Sequence, residues 1–96
     1  MTVYVVATLK FTDRPAYDRY MAAFPAVFAK HNGVVLAADE APRVLEGASD
    51  VEKVVILSFP DQDSLAAWAR SPDYLAISKD RRAGSEGPIF LVQGYG

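Results

Sequence analysis

From Thr2 to Phe11 apolar and polar positions follow a period of two. Val3, Val5, Ala7, Leu9 and Phe11 make one uniformly apolar face, while Thr2, Tyr4, Val6, Thr8 and Lys10 make a mixed one. Alternation among β-branched and aromatic residues predicts a strand. The period then lengthens. Tyr17, Tyr20, Met21, Phe24 and Phe28 recur at spacings of three and four, the stripe of an amphipathic helix. Thr12 or Asp13 can cap it, and Pro15 suits its first turn, where the missing N–H had no partner anyway. Pro25 falls inside the stripe and removes a backbone donor, so a kink or break is expected near Ala22 to Phe24. Lys30 and His31 suit the C-terminal end of the dipole, with Gly33, beside Asn32, as the left-handed stop.

Val34 to Ala38 reads as a second strand, interrupted by Asp39-Glu40-Ala41-Pro42. Arg43 to Glu46 is expected to resume extended structure before a turn at Gly47 to Asp50. Residues 53 to 59, KVVILSF, predict a third strand with Val55, Leu57 and Phe59 on one side and Val54 and Ile56 on the other. A strand apolar on both sides is covered on both sides. Pro60 turns the chain into a second helix, with Asp61 and Ser64 as capping oxygens and Leu65, Trp68 and Ala69 as its inner face. Ser71-Pro72-Asp73 starts a further helical segment running to Gly84. Residues 84 to 88 read as a loop, and Ile89 to Gln93 as the last strand.

The order strand, helix, strand, strand, helix, strand is the split βαβ, or ferredoxin-like, α+β arrangement. Both helices then lie on one face of a four-stranded antiparallel sheet. The other face should be polar in a monomer, yet Val54, Ile56, Tyr4 and Val6 fall on it. A second copy of the same sheet is the expected cover, giving an isologous homodimer.

Composition narrows the function classes. Ninety-six residues suffice for one domain, 1–96, and not for two. The net charge is −2 and the only basic cluster is Lys79, Arg81 and Arg82, so no nucleic-acid partner is expected. Cysteine is absent, which removes thiolate chemistry and Cys-based metal sites. No apolar run reaches the length of a membrane span and no leader pattern is present, which leaves the cytoplasm as the default compartment. A lone histidine with no H-x-x-x-H spacing predicts no metal site, and no cofactor is expected. Nucleophile elbows, phosphate-cradling loops and dinucleotide fingerprints are missing as well.

A set of ordered marks carries a resemblance across nearly the whole chain. They are Asp13 with Tyr17 and Tyr20, Pro25, His31-Asn32-Gly33 leading into Leu36-Ala37, and Leu45-Glu46-Gly47. They continue with Val54-Val55-Ile56 running into Phe59-Pro60, Trp68, Ser71-Pro72 with Tyr74, Arg81 or Arg82, and Val92-Gln93-Gly94. With these the chain resembles domain of unknown function family 1330, of the dimeric α/β-barrel superfamily. The resemblance implies two sheets forming a barrel across a dimer, with a pocket in each subunit between sheet and helices. Superfamily members include cofactor-free monooxygenases, haem-degrading enzymes, muconolactone isomerases and stress-responsive proteins, so the fold leaves function open. The chain departs from the family pattern at Asn32-Gly33-Val34, Ala38-Asp39, Ala48-Ser49-Asp50 and Ser58. These are polar and aromatic positions, whereas the core-like ones are kept.

The candidate residues follow from chemistry. His31 is the only side chain whose ordinary pKa lies near neutrality, and Glu46 or Asp39 in apolar surroundings could serve as a base. Their plainer readings are a helix-end histidine and solvated hairpin carboxylates. Tyr17, Tyr20, Phe24, Trp68 and Tyr74 are candidates for a ligand-binding wall, against the alternative of plain core packing. Arg81, with Arg82, could hold a substrate carboxylate, against the alternative of a surface pair at a helix end. The expected function is binding of a small apolar or aromatic carbonyl-bearing molecule. The rivals are a cofactor-free monooxygenase or isomerase using His31, a tyrosine or Glu46, and a structural dimer without a ligand.

Overall fold

Residues 1–95 are described in a computed structural model. The chain runs β1 (Val3–Phe11), α1 (Arg14–Phe28), β2 (Val34–Asp39), β3 (Lys53–Phe59), α2 (Gln62–Ala69), α3 (Pro72–Gly84), β4 (Ser85–Glu86) and β5 (Ile89–Gln93). This is the ferredoxin-like α+β fold: an antiparallel sheet with β2, β3 and β1 side by side, and β4 and β5 on the free edge of β1. Overall dimensions of 33 × 33 × 16 Å describe a slab about two layers thick.

The predicted loop at 84–88 is partly strand. Lys10 pairs with Glu86 and Phe11 with Ser85, in the same register that sets Ala7 against Ile89 and Val3 against Gln93. Thr8 bridges the interval, donating both its N–H (3.1 Å) and its hydroxyl (2.7 Å) to the Pro88 carbonyl. β4 and β5 are therefore one edge strand, interrupted where Pro88 has no N–H to give. Residues 43–46 form no strand, which corrects the expectation of extended structure there. That segment finds no neighbouring strand edge, and Leu45 stands exposed.

The three caps are Asp13, Asp61 and Ser71, each accepting a backbone N–H from the first turn of its helix (Ala16, Ser64 and Tyr74). Thr12 caps nothing; its hydroxyl donates to the Ala83 carbonyl. Pro25 does not break α1, which is continuous to Phe28. The proline lies in the last turn, so one hydrogen bond is lost, and Phe24 stacks on Phe28 at 4.8 Å across it. Gly33 is not a left-handed stop, since positive φ occurs only at Gly47 and Gly87 among the described residues. It is needed for space: a Cβ there would run into the Phe28 ring and lie 2.7 Å from that of Phe59. Lys30 lies beyond the end of α1 and instead reaches Asp73 at 2.8 Å, beside the start of α3.

Strand register sorts the side chains between two faces. Val3, Val5, Ala7 and Leu9 of β1 point to the helices, with Lys53, Val55, Leu57 and Phe59 of β3 opposite. Tyr4, Val6, Val54 and Ile56 point the other way, onto a face that carries no helix and where they are only half-buried.

Candidate functional site

α1 packs along α3 and stands off the sheet. Aromatic pairs bridge the gap at its two ends. Phe11 meets Tyr17 at 4.9 Å at one end, while Phe28 meets Phe59 at 5.8 Å and Trp68 at 5.5 Å at the other. Between them lies a cavity of about 740 Å³. Its walls are mainly aliphatic and aromatic, and a void of this size is in the range of ligand sites.

Tyr17, Tyr20, Phe24, Trp68, Tyr74 and Arg81 all line this one cavity. They are also packed on each other: Tyr17 on Tyr20 at 5.8 Å, Tyr20 on Phe24 at 5.7 Å, Trp68 on Tyr74 at 4.1 Å. The same rings thus pack as core and line the cavity. A polar thread runs through them. The Tyr20 and Tyr74 hydroxyls lie 3.3 Å apart, and Arg81 Nε donates to the Tyr74 hydroxyl at 3.3 Å. Burial, reinforced by Tyr74, pushes the Tyr20 phenol well above its ordinary range, so it stays protonated and able to donate. Trp68 Nε1–H is buried and meets no acceptor among the described residues.

The acid–base candidates lie elsewhere. His31 borders a separate, shallower depression of about 320 Å³ with Lys30, Asn32, Asp61, Asp63 and Ser64. Glu46 is exposed in the loop after β2. Asp39 accepts the Ala41 N–H at 2.8 Å and closes a turn. None of the three lines the large cavity.

Sequence reasoning passed over Lys53. It lines the cavity and is 2% exposed. Its Nζ sits 4.7 Å from the Tyr17 ring centre, 3.6 Å from Met21 Sδ and 3.6 Å from Glu40 Oε2. Glu40 is turned chiefly to Arg14, whose Nη2 lies 2.9 Å and 3.0 Å from its two oxygens. The available signal was parity, since Lys53 is in phase with Val55, Leu57 and Phe59. Among the described residues no group of three or more His, Cys, Asp or Glu could hold a metal, and no helix is long and apolar enough to cross a membrane.

The fold and the cavity define a ferredoxin-like α+β protein with an apolar chamber between helices and sheet. The family model described as Domain of unknown function (DUF1330) matches residues 2–95, and the chain belongs to that family. No curated protein matches the sequence. Among solved structures, a protein of unknown function from Rhodopseudomonas palustris superposes with a TM-score of 0.83 at 19% identity, covering 99% of this chain and 83% of that one. SnoaB, a cofactor-independent oxygenase from Streptomyces nogalater, gives 0.71 at 21% identity, covering 99% and 94%. A dimeric ferredoxin-like protein of unknown function from Jannaschia sp. CCS1 gives 0.71 at 17%, covering 96% of each chain. At these identities the likeness is one of fold.

Proposed function

We propose that this protein is a homodimeric binder of a small apolar or aromatic, carbonyl-bearing molecule, held between the helices and the sheet. The observation that carries the reading is the 740 Å³ cavity, which the aromatic side chains frame without filling. A carbonyl oxygen has donors to meet there in the Tyr20–Tyr74–Arg81 thread. Turnover of the cofactor-independent kind is the alternative, favoured by the protonated Tyr20 phenol in an apolar chamber and by the fold shared with SnoaB. In that case the acid–base work falls to side chains of the cavity, and His31 and Glu46 have no part in it.

The dimer rests on the uncovered face of the sheet. The chain exposes 6008 Å², against roughly 5,400 Å² expected for a compact monomer of its mass. Half-buried Tyr4, Val6, Val54 and Ile56, with exposed Val34 and Val92 beside them, make that face apolar. A dimeric state of the Jannaschia protein is consistent with the same solution here. Native mass spectrometry of the purified protein tests both parts together. The expected result is twice the chain mass, plus a retained small molecule or uptake of an added aromatic ketone. A monomer that takes up nothing would refute the reading.

A further inference from the structure

The charge of the cavity wall is one-sided. Lys53, Arg81 and Arg82 line it and no aspartate or glutamate does, although the chain as a whole carries a net charge of −2. Chance placement on an acidic protein does not favour such a set. Lys53 is the informative member. An ammonium has three donors, and buried charge is costly unless it is paired and hydrogen-bonded. Here the paired carboxylate oxygen is Glu40 Oε2 at 3.6 Å, beyond the range of a good N–H···O bond, and the one hydrogen-bond acceptor among the described residues is a thioether sulfur at 3.6 Å. Arg14 holds the same carboxylate more closely, so Lys53, which lines the chamber, carries a weakly engaged charge.

Tyr17 joins the cations into one region. Its ring carries Lys53, and its backbone packs on Gly84, two positions beyond Arg82. Tyr17 contacts Tyr20, whose hydroxyl meets that of Tyr74, which in turn accepts from Arg81. A chain of contacts thus runs from Lys53 through the Tyr17 ring to the Tyr20, Tyr74 and Arg81 donors in an otherwise apolar chamber.

We infer that the ligand of this cavity is an apolar anion, a ring or hydrocarbon body bearing one oxyanion, with Lys53 as its principal anchor. Carboxylate, phenolate and enolate oxygens share the required chemistry: an acceptor for several donors and a charge opposite to that of the wall. The apolar body takes the aliphatic and aromatic surface, and the oxyanion lies beside Lys53 on the cavity side, away from Glu40. This deepens the proposed function and rests on the cavity being a ligand site.

The test uses two fluorescent probes of nearly the same shape, anilinonaphthalene sulfonate and its uncharged counterpart N-phenyl-naphthylamine, titrated into the intact protein at low and at physiological salt. Val35→Trp is the cavity control, because Val35 lines the chamber and is 44% exposed, so a large ring is tolerated there. The expected result is tighter binding of the sulfonate, with both probes weakened by Val35→Trp. Lys53→Met should then lower sulfonate affinity about tenfold, the scale of one charge-assisted hydrogen bond, and leave the naphthylamine within about threefold. Arg82→Gln, at an exposed position that does not endanger folding, should lower sulfonate affinity a few-fold at low salt only. Cavity-dependent binding of both probes with equal affinity, or an equal response of both to these variants, would overturn the anion proposal and leave the ligand site standing. Failure of both probes to bind, or indifference of both to Val35→Trp, would remove the ligand site itself.

Discussion

Replacing Lys53 by methionine should make the folded protein more stable. The substitution keeps an unbranched stem of similar length and removes the ammonium. What is lost is small. The contact with the Tyr17 ring at 4.7 Å belongs to a class worth about 0.5–2 kcal/mol. The ion pair to Glu40 is long at 3.6 Å, its partner is 44% exposed, and Arg14 remains to hold that carboxylate, so it adds at most about 1 kcal/mol. What is regained is the desolvation of a group 2% exposed, several kcal/mol per ion after relaxation. The balance is a gain of about 1–3 kcal/mol, which for a chain of this length raises Tm by roughly 4–15 °C. The assay is thermal unfolding at one fixed protein concentration, since dimerisation makes Tm depend on concentration. A fall in stability of about 1 kcal/mol or more would refute the reasoning, because it would mean that Lys53 is well paired and structural. A gain would set Lys53 among residues kept at a cost to stability, as groups at binding sites commonly are.

Gly84→Ala should destabilise by about 1–3 kcal/mol in urea unfolding, because the added Cβ would lie 2.7 Å from the Asp13 carbonyl oxygen and 2.9 Å from Tyr17 Cα, backbone atoms that cannot turn aside; an unchanged midpoint would mean that α1 and α3 separate freely. Acid should weaken the fold in a defined window: the Lys10 contact to Asp50, the Ser64 N–H to Asp61 and the Lys30 contact to Asp73 each hold a carboxyl below its ordinary value. Groups lowered on folding stabilise above the unfolded pKa, about 3.9, and lose that contribution as pH falls through the folded values, so the urea midpoint should be flat above about pH 5 and drop below about pH 4. A midpoint that falls instead between pH 7 and 5 would contradict this. Trp68 is the sole tryptophan and lines the cavity, so emission excited at the indole band should shift on uptake of any cavity ligand and stay unmoved in Val35→Trp only for the Trp68 component, separable by lifetime.

The amino-acid sequence by itself determined what depends on near neighbours along the chain. The period of two in β1, the three-and-four stripe of α1 and the capping stretches before the three helices are local properties, and each is realised, the structure choosing Asp13 over Thr12 and Asp61 over Ser64. So is the face on which each strand residue lies, because pleat alternation needs no partner to define it. The aromatic wall was legible for the same reason: Tyr17, Tyr20 and Phe24 lie on the inner side of one helix, and Trp68 and Tyr74 on helices that fold over the same sheet face. Only the tertiary structure decided the rest. Whether those rings fill the core or frame a chamber depends on how far α1 stands from the sheet, and that distance is set by its packing on α3. Gly33 and Gly84 read as helix punctuation in one dimension, yet in three they are places where rings and backbone approach too closely for a Cβ. A lysine at the first position of a strand ordinarily reaches solvent along its own stem. At Lys53 the end of β2 and the first turns of α1 close over it, and no local pattern encodes that enclosure because the residues that make it are far apart in the chain.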